Sequence, residues 1–314
     1  MRTRPIGSLN VSVVGLGCNN FGGRLDRAGT KSVLDAAIDA GVTFLDTADL
    51  YGGTDSERFM GEALRGRRSE VLLATKFGHP RNTKGPTGAR PEDVRVALEA
   101  SLQRLGTDHV DLYQLHMPDP NVPIADTLGA LAEVVQAGLV REIGCSNFTP
   151  EQLQEAEDAV EVGAPRFVSV QNEFSMLVRD PEAEVLPTCE RLGIAFLPYF
   201  PLLSGILTGK VRKGQPLPEG TRVAGSDRWQ AMLTPEVLDL VEKLIAFAEA
   251  RERDLIDLAF AYLLAHRPVA SVIAGATKPE QVRRNAQAGT WELTDEEFAA
   301  VRSLLDAADV RLPA

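Results

Sequence analysis

Apolar residues recur along this chain in two alternating rhythms. Short runs rich in valine, leucine and isoleucine alternate with longer stretches whose apolar positions return at helical spacing. The runs predict core strands at 13–18, 42–47, 71–75, 110–115, 140–145, 167–171, 195–199 and 269–274. Between them, residues 30–40 carry Val33, Leu34, Ala37 and Ile38 on one helical face, and Gly41 is a natural stop. Residues 91–105 open with proline at an early helical position and end before Gly106. Thr149 reads as an N-cap followed by Pro150 at the first helical position. Thr294-Asp295-Glu296-Glu297 reads as a capping box that opens a final helix. Eight strands alternating with helices predict an α/β chain folded as a (β/α)8 TIM barrel. A short N-terminal hairpin around residues 4–9 is expected across the barrel bottom, and an extra helix at the C-terminal end.

No composition shift marks a boundary, so a single domain over 1–314 is expected. Two connections stand out. Residues 209–233, after the seventh strand, are too long for a routine link, and residues 78–90 form a second long loop after the third.

The barrel frame gives four residues a common address. Asp46 closes Val42-Thr43-Phe44-Leu45, and Tyr51 lies in the following turn. Lys76 closes Val71-Leu72-Leu73-Ala74-Thr75, and His116 closes Val110-Asp111-Leu112-Tyr113-Gln114-Leu115. In a parallel barrel those strand ends converge on one face. An acid, a phenol, an amine and an imidazole meeting there make a proton-delivery device. A phenol is a poor acid at neutral pH, and a nearby ammonium favours its phenolate and lowers its pKa. Tyr51 is the expected general acid or base, Lys76 its electrostatic partner, Asp46 the group that holds Lys76, and His116 a donor to substrate oxygen. Taken singly, each has an ordinary role: a packed turn tyrosine, an exposed lysine, a strand-end acid, a backbone-bonding histidine. Their joint order makes coincidence a poor account.

Charge narrows the partners. The net charge of −11 disfavours a broad nucleic-acid surface, while local basic spots such as Lys278, Arg283 and Arg284 suffice for a phosphate. Cys18, Cys145 and Cys189 show no pairing pattern, which fits a reducing compartment. No apolar run approaches the ~20 residues of a membrane span, and Met1-Arg2-Thr3-Arg4-Pro5 lacks a signal core. The expected location is cytoplasmic, without nucleic-acid or membrane partners. The histidines His79, His109, His116 and His266 lack paired ligand spacing, so no metal is expected.

Leu45-Asp46-Thr47-Ala48-Asp49-Leu50-Tyr51, Ala74-Thr75-Lys76 and Leu115-His116 resemble the tetrad segments of the aldo-keto reductases. Gly15-Leu16-Gly17 and Gly144-Cys145-Ser146-Asn147-Phe148 add to the resemblance, which runs from about Pro5 to near Asn285. It implies a nicotinamide cofactor across the barrel mouth, NADPH being expected and NADH the alternative. Ser146, Asn147 and Gln171 would grip the carboxamide, since amide side chains both donate and accept, and Tyr199 would stack on the nicotinamide ring. Phe200-Pro201-Leu202-Leu203-Ser204-Gly205-Ile206-Leu207-Thr208-Gly209-Lys210 resembles the pyrophosphate segment, with Leu202, Gly205 and Lys210 as contacts. Many relatives carry serine where Phe200 stands, so a hydroxyl contact at that position is not carried over. Gly275-Ala276-Thr277-Lys278-Pro279-Glu280-Gln281-Val282-Arg283-Arg284-Asn285 resembles the adenosine-end motif. There Thr277 and Lys278 would meet the ribose 2′-phosphate at a helix N-terminus, Gly275 is a further expected cofactor contact, and Gln281 and Asn285 would reach the adenine. Asn19, Asn20 and Phe21 are expected to border the substrate; Trp229 either folds over the site or anchors its loop.

The expected activity is NAD(P)H-dependent reduction of an aldehyde or ketone, or the reverse, on a small-molecule substrate. A nicotinamide-binding sensor or accessory subunit that retains the tetrad is the alternative. A metal-dependent barrel hydrolase is disfavoured by the histidine spacing. Turnover with NADPH separates the first from the second, and metal analysis the first from the third. Substrate and oligomeric state are not legible from residues alone.

Overall fold

A hairpin opens the chain. In the computed structural model, strands β1 (Thr3–Ile6) and β2 (Leu9–Ser12) pair antiparallel, with Ile6 opposite Leu9. The structure describes residues 1–308 and residue 310, so residues 309 and 311–314 of the expected domain lie outside the described residues.

Eight parallel strands follow: β3 (Val14–Gly17), β4 (Phe44–Asp46), β5 (Leu72–Phe77), β6 (Val110–Leu115), β7 (Val140–Ser146), β8 (Phe167–Glu173), β9 (Ala195–Tyr199) and β10 (Val272–Gly275). Their order is β10-β3-β4-β5-β6-β7-β8-β9. The ring closes between β9 and β10 through a parallel bridge at Phe196 and Val269. Phe196 N donates to Pro268 O (2.7 Å) and Ala270 N donates to Phe196 O (3.0 Å). This seam explains one difference from expectation. The eighth strand was expected from 269, but residues 269–271 serve the closure and the ladder with β3 begins at Val272.

Ile6, Leu9 and Val11 of the hairpin pack against Phe44, Ala74, Leu112, Leu197 and Ile273 inside the barrel. The hairpin therefore plugs the bottom and leaves the opposite end for chemistry. Gly15 is required on the inner wall, where a side-chain carbon would meet Ser271 and Phe44 at 3.0 and 3.1 Å. A second apolar layer joins the outer face of the strands to the helices.

Among those helices are α1 (Arg27–Asp39), α2 (Asp55–Ala63), α3 (Pro91–Leu105), α4 (Ile124–Gln136) and α5 (Pro150–Asp158). After them come α6 (Val185–Leu192), α7 (Asp227–Gln230), α8 (Pro235–Glu249), α9 (Leu255–Leu264), α10 (Pro279–Ala288) and α11 (Asp295–Ala307). The caps follow the sequence. Thr149 and Gln152 form a reciprocal capping box on α5, and Thr294 and Glu297 form one on α11. Helix α1 starts earlier than the apolar pattern indicated, because the Asp26 side chain accepts from Gly29 N (2.8 Å).

Helix α11 is tied to the barrel by a charged cluster. Glu182 lies 2.8 Å from Arg179 and 3.5 Å from Arg302, and it accepts a bond from the Tyr262 hydroxyl. Burial alone would raise the Glu182 pKa, but the nearby His266 ring and the Arg179 and Tyr262 donors outweigh it and hold the acid at about 2. A depressed folded-state pKa contributes stability above the unfolded value, near 4.3, that is lost as pH falls toward 2. After discounting for solvent screening, Glu182→Gln is expected to cost about 1–2 kcal/mol at pH 7. Thermal melts should show the parent and variant converging below pH 4. A gap that stays constant down to pH 2.5 would remove Glu182 from this role.

Candidate active site

Asp46 ends β4, Lys76 lies near the end of β5, and His116 follows β6 directly, so all three share the mouth opposite the hairpin. Tyr51 opens a tight turn, Tyr51–Thr54, in which Gly52 and Gly53 have φ of 58° and 64°. A side-chain carbon at Gly52 would fall on the Phe21 carbonyl. Glycine there lets the Tyr51 turn close down on the loop that follows β3.

The four groups form one assembly. Lys76 Nζ donates to Asp46 Oδ2 (2.7 Å) and to Thr47 O (2.9 Å), and lies 5.2 Å from the Tyr51 ring centroid. Lys76 is 0 % exposed, and a buried ammonium survives only when paired and hydrogen-bonded. Gln114 and Gln171 donate to the other oxygen of Asp46, at 3.2 and 2.9 Å. Burial weighs against the Lys76 ammonium, but Asp46 and Tyr51 prevail and raise its pKa.

Tyr51 departs from expectation. Its pKa is raised, because burial outweighs the lowering influence of Lys76. The ammonium restrains the rise without reversing it, so the resting group is phenol. The Tyr51 and His116 rings meet edge-on with centroids 6.0 Å apart. Burial, then Lys76 and His79, hold the His116 pKa well below its ordinary value, so the imidazole is neutral. Its Nδ1 is buried without a partner among the described residues, which leaves Nε2 as the nitrogen for a ligand.

Beside this group lies a locked set of polar side chains. Ser146 Oγ donates to Gln171 O (2.7 Å), and Asn147 Nδ2 donates to His116 O (3.0 Å). Tyr199 donates its hydroxyl to Asn147 Oδ1 (2.8 Å). Asn147 adopts φ 62°, a left-handed conformation that asparagine tolerates better than most residues. Asp46 only accepts, so it orients the Gln171 amide with nitrogen inward and leaves the carbonyl for a ligand.

After β9 the chain is strained. Phe200, Leu203 and Ser204 all have positive φ, as do Gly205 and Gly209. The Ser204 hydroxyl is buried without a partner among the described residues. An orphaned hydroxyl within a loop of unusual backbone is what an anion-binding segment would need. Leu202 is partly buried and Lys210 is exposed along the same segment. Gly275 ends β10, and a side-chain carbon there would lie 3.2 Å from Asn20 and 3.5 Å from Asn19. Lys278 is exposed at the N-terminus of α10, and Asn285 is buried on that helix. The Gln281 carbonyl accepts from Thr277 N, Thr277 Oγ1 and Lys278 N, so its amide nitrogen is the end left for a ligand. Arg284 bonds to Asp257 and Asp254 and fastens α10 to α9, so it is not a spare phosphate ligand.

The expected substrate residues fall in different places. Asn19 is exposed at the rim. Asn20 is buried and donates to Ala276 O (3.3 Å). Phe21 departs from the expectation of a pocket wall: it is 0 % exposed and packs in the outer apolar core. Trp229 is 8 % exposed and packs edge-on to Phe200 (5.7 Å), which in turn meets Tyr199 (5.3 Å). Its ring thus lies beside the strained segment that follows β9.

Several residues at the mouth escaped the sequence. Gln114 was legible, since it stands two positions before His116 and shares its face of the strand. Arg222 was not: it comes from the 209–233 loop and donates to Asn20 Oδ1 (2.9 Å) across 202 residues of chain. His79 was noted only for metal spacing, yet its ring lies 4.7 Å from His116.

The Aldo/keto reductase family model matches residues 13–306. The chain is 34% identical to Aldo-keto reductase str7 of Strobilurus tenacellus, covering 98% of this chain and 93% of that one. It is 33% identical to Aldo-keto reductase yakc [NADP(+)] of Schizosaccharomyces pombe, covering 98% and 92%. Among solved structures it resembles the glycerol dehydrogenase of Gluconobacter oxydans, with TM-score 0.85, 28% identity and coverage of 99% and 97%. Eight parallel strands in this order, the mouth that gathers Asp46, Tyr51, Lys76 and His116, and a match over nearly the whole chain lead to one conclusion: this protein belongs to the aldo/keto reductase family.

Proposed function

We propose that this protein reduces an aldehyde or ketone to an alcohol, and runs the reverse, with Tyr51 as proton donor and NADPH as preferred cofactor. The observation that carries this reading is the buried Asp46–Lys76 pair beside the Tyr51 ring, facing a neutral His116. Family membership supports nicotinamide-dependent carbonyl oxidoreduction in general.

The cofactor, when bound, supplies the hydride that no side chain here carries. The residues present suit it. The unpartnered Ser204 hydroxyl and the positive-φ backbone at 203–205 fit a pyrophosphate oxygen. Ser146, Asn147 and the Gln171 carbonyl are held in place beforehand, so a carboxamide would meet a preorganised site. Tyr199, fixed by its bond to Asn147, offers a ring face. On the substrate side, His116 donates to the carbonyl oxygen and sets its angle. Tyr51 gives that oxygen its proton as the carbon is reduced. Lys76, held in place by Asp46, makes the proton's departure easier by stabilising the phenolate left behind.

The preference for NADPH rests on Lys278, exposed where a helix N-terminus also favours an anion. Arg222, held at Asn20 beside Ala276, adds positive charge along the same edge. Lys278→Ala is expected to weaken NADPH about tenfold and to spare NADH. Titration of cofactor fluorescence at two ionic strengths checks this. Equal loss for both cofactors would reassign Lys278 to the fold or the adenine end. The activity itself is tested with a carbonyl and alcohol panel, followed by nicotinamide absorbance with NADPH and with NADH. Tight cofactor binding with no turnover across the panel would overturn the reading in favour of a sensor.

A further inference from the structure

His79 stands beside His116 at the barrel mouth. It follows Gly78, whose φ of 80° swings the chain over the end of β6. A side-chain carbon at Gly78 would meet Leu115 at 2.9 Å and Gly88 O at 3.0 Å, so the turn depends on glycine. The swing brings the His79 ring to 4.7 Å from His116, edge-on at 76°.

The ring's tautomer follows from its surroundings. Arg81 N donates to His79 Nδ1 (3.0 Å), so Nδ1 carries a lone pair and the proton sits on Nε2. His79 is only partly buried, and Nε2 has no hydrogen-bond partner among the described residues. Burial and Arg81 both lower its pKa, which keeps the ring neutral.

The loop that carries it is held from below. Asn82 N donates to His79 O (2.9 Å), Lys84 N donates to Asn82 Oδ1 (2.9 Å), and Asn82 Nδ2 donates to Asp49 Oδ2 (2.8 Å). Asp49 stands two residues before Tyr51. The loop is therefore tied to the same turn that presents the proton donor, and His79 is registered to the reacting centre.

We propose that His79 is a specificity-determining donor that selects carbonyl compounds bearing a hydroxyl on the carbon next to the carbonyl. With His116 on the carbonyl oxygen, the neighbouring imidazole N–H meets an oxygen one carbon further along the substrate. A 2-hydroxyaldehyde offers both acceptors, whereas a plain aldehyde leaves the second N–H without a partner once water is displaced. This assignment rests on the carbonyl-reduction reading above.

The test compares kcat/KM for 2-hydroxypropanal and for propanal in the parent, His79→Phe and His79→Gln. Phenylalanine keeps a ring against His116 and removes the N–H; glutamine restores a donor. The parent should favour the hydroxyaldehyde. The ratio of the two kcat/KM values should fall about tenfold in His79→Phe and recover in His79→Gln. A parent that reduces propanal without preferring the hydroxyaldehyde overturns the assignment and leaves the carbonyl reading standing. So does a ratio unchanged in His79→Phe, which would make His79 a packing residue. A parent that reduces neither aldehyde with either cofactor overturns both.

Discussion

Replacing Tyr51 with phenylalanine should lower carbonyl reduction by roughly 10²–10⁴-fold, the range that general acid catalysis contributes. The ring stays, so the edge contact with His116 and the packing over Lys76 survive. Only the transferable proton is lost. Cofactor affinity should change little, because the residues suited to the cofactor lie on other strand ends. The pH dependence carries a second check. In the proposed mechanism reduction needs the phenol, and burial raises the Tyr51 pKa above the ordinary value near 10. The parent's reduction rate should therefore hold through neutral pH and fall only in strongly alkaline solution. Alcohol oxidation needs the phenolate and should climb as pH rises. A variant that reduces a good aldehyde at the parent rate would end the assignment of Tyr51.

Lys76→Met should lower turnover as well and move the alkaline limb of alcohol oxidation to higher pH. The ammonium is the one group beside Tyr51 that pulls its pKa down against burial. Without it the phenol is harder to ionise, so phenolate appears later. A stability cost accompanies this. Asp46 would remain buried with the Gln114 and Gln171 amides as its side-chain donors. Removing one partner of a buried pair typically costs about 3–5 kcal/mol. The kinetic result is meaningful only with a folded variant, checked by circular dichroism and thermal melting. An unchanged pH profile in a folded Lys76→Met protein would remove Lys76 from the mechanism.

The amino-acid sequence by itself determined the frame and the addresses. The alternation of strand and helix, the caps at Thr149 and Thr294, and the strand-end positions of Asp46, Lys76 and His116 are local properties. Side-chain period and capping chemistry act over a few residues, so they are legible in one dimension. Tyr51 was legible for the same reason, since it lies five residues after Asp46 in a turn marked by Gly52 and Gly53.

Tertiary structure decided whatever depends on groups far apart in sequence. Gln171 meets Asp46 across 125 residues and Arg222 meets Asn20 across 202. No local pattern encodes those meetings. Phe21, polar-flanked and next to the rim residues, was assigned to the pocket, yet the fold needs its ring in the core. Arg284, a plausible phosphate ligand by position, is taken by acids on α9. The sign of the Tyr51 shift was likewise beyond the sequence. It is a balance between desolvation and one ammonium, and desolvation is known only when every neighbour is in place. His79 makes the same point: its nearness to His116 depends on a loop whose shape is set by Asn82 reaching back to Asp49. Periodicity places strands and helices, while the contacts between loops decide which donors and charges face the substrate.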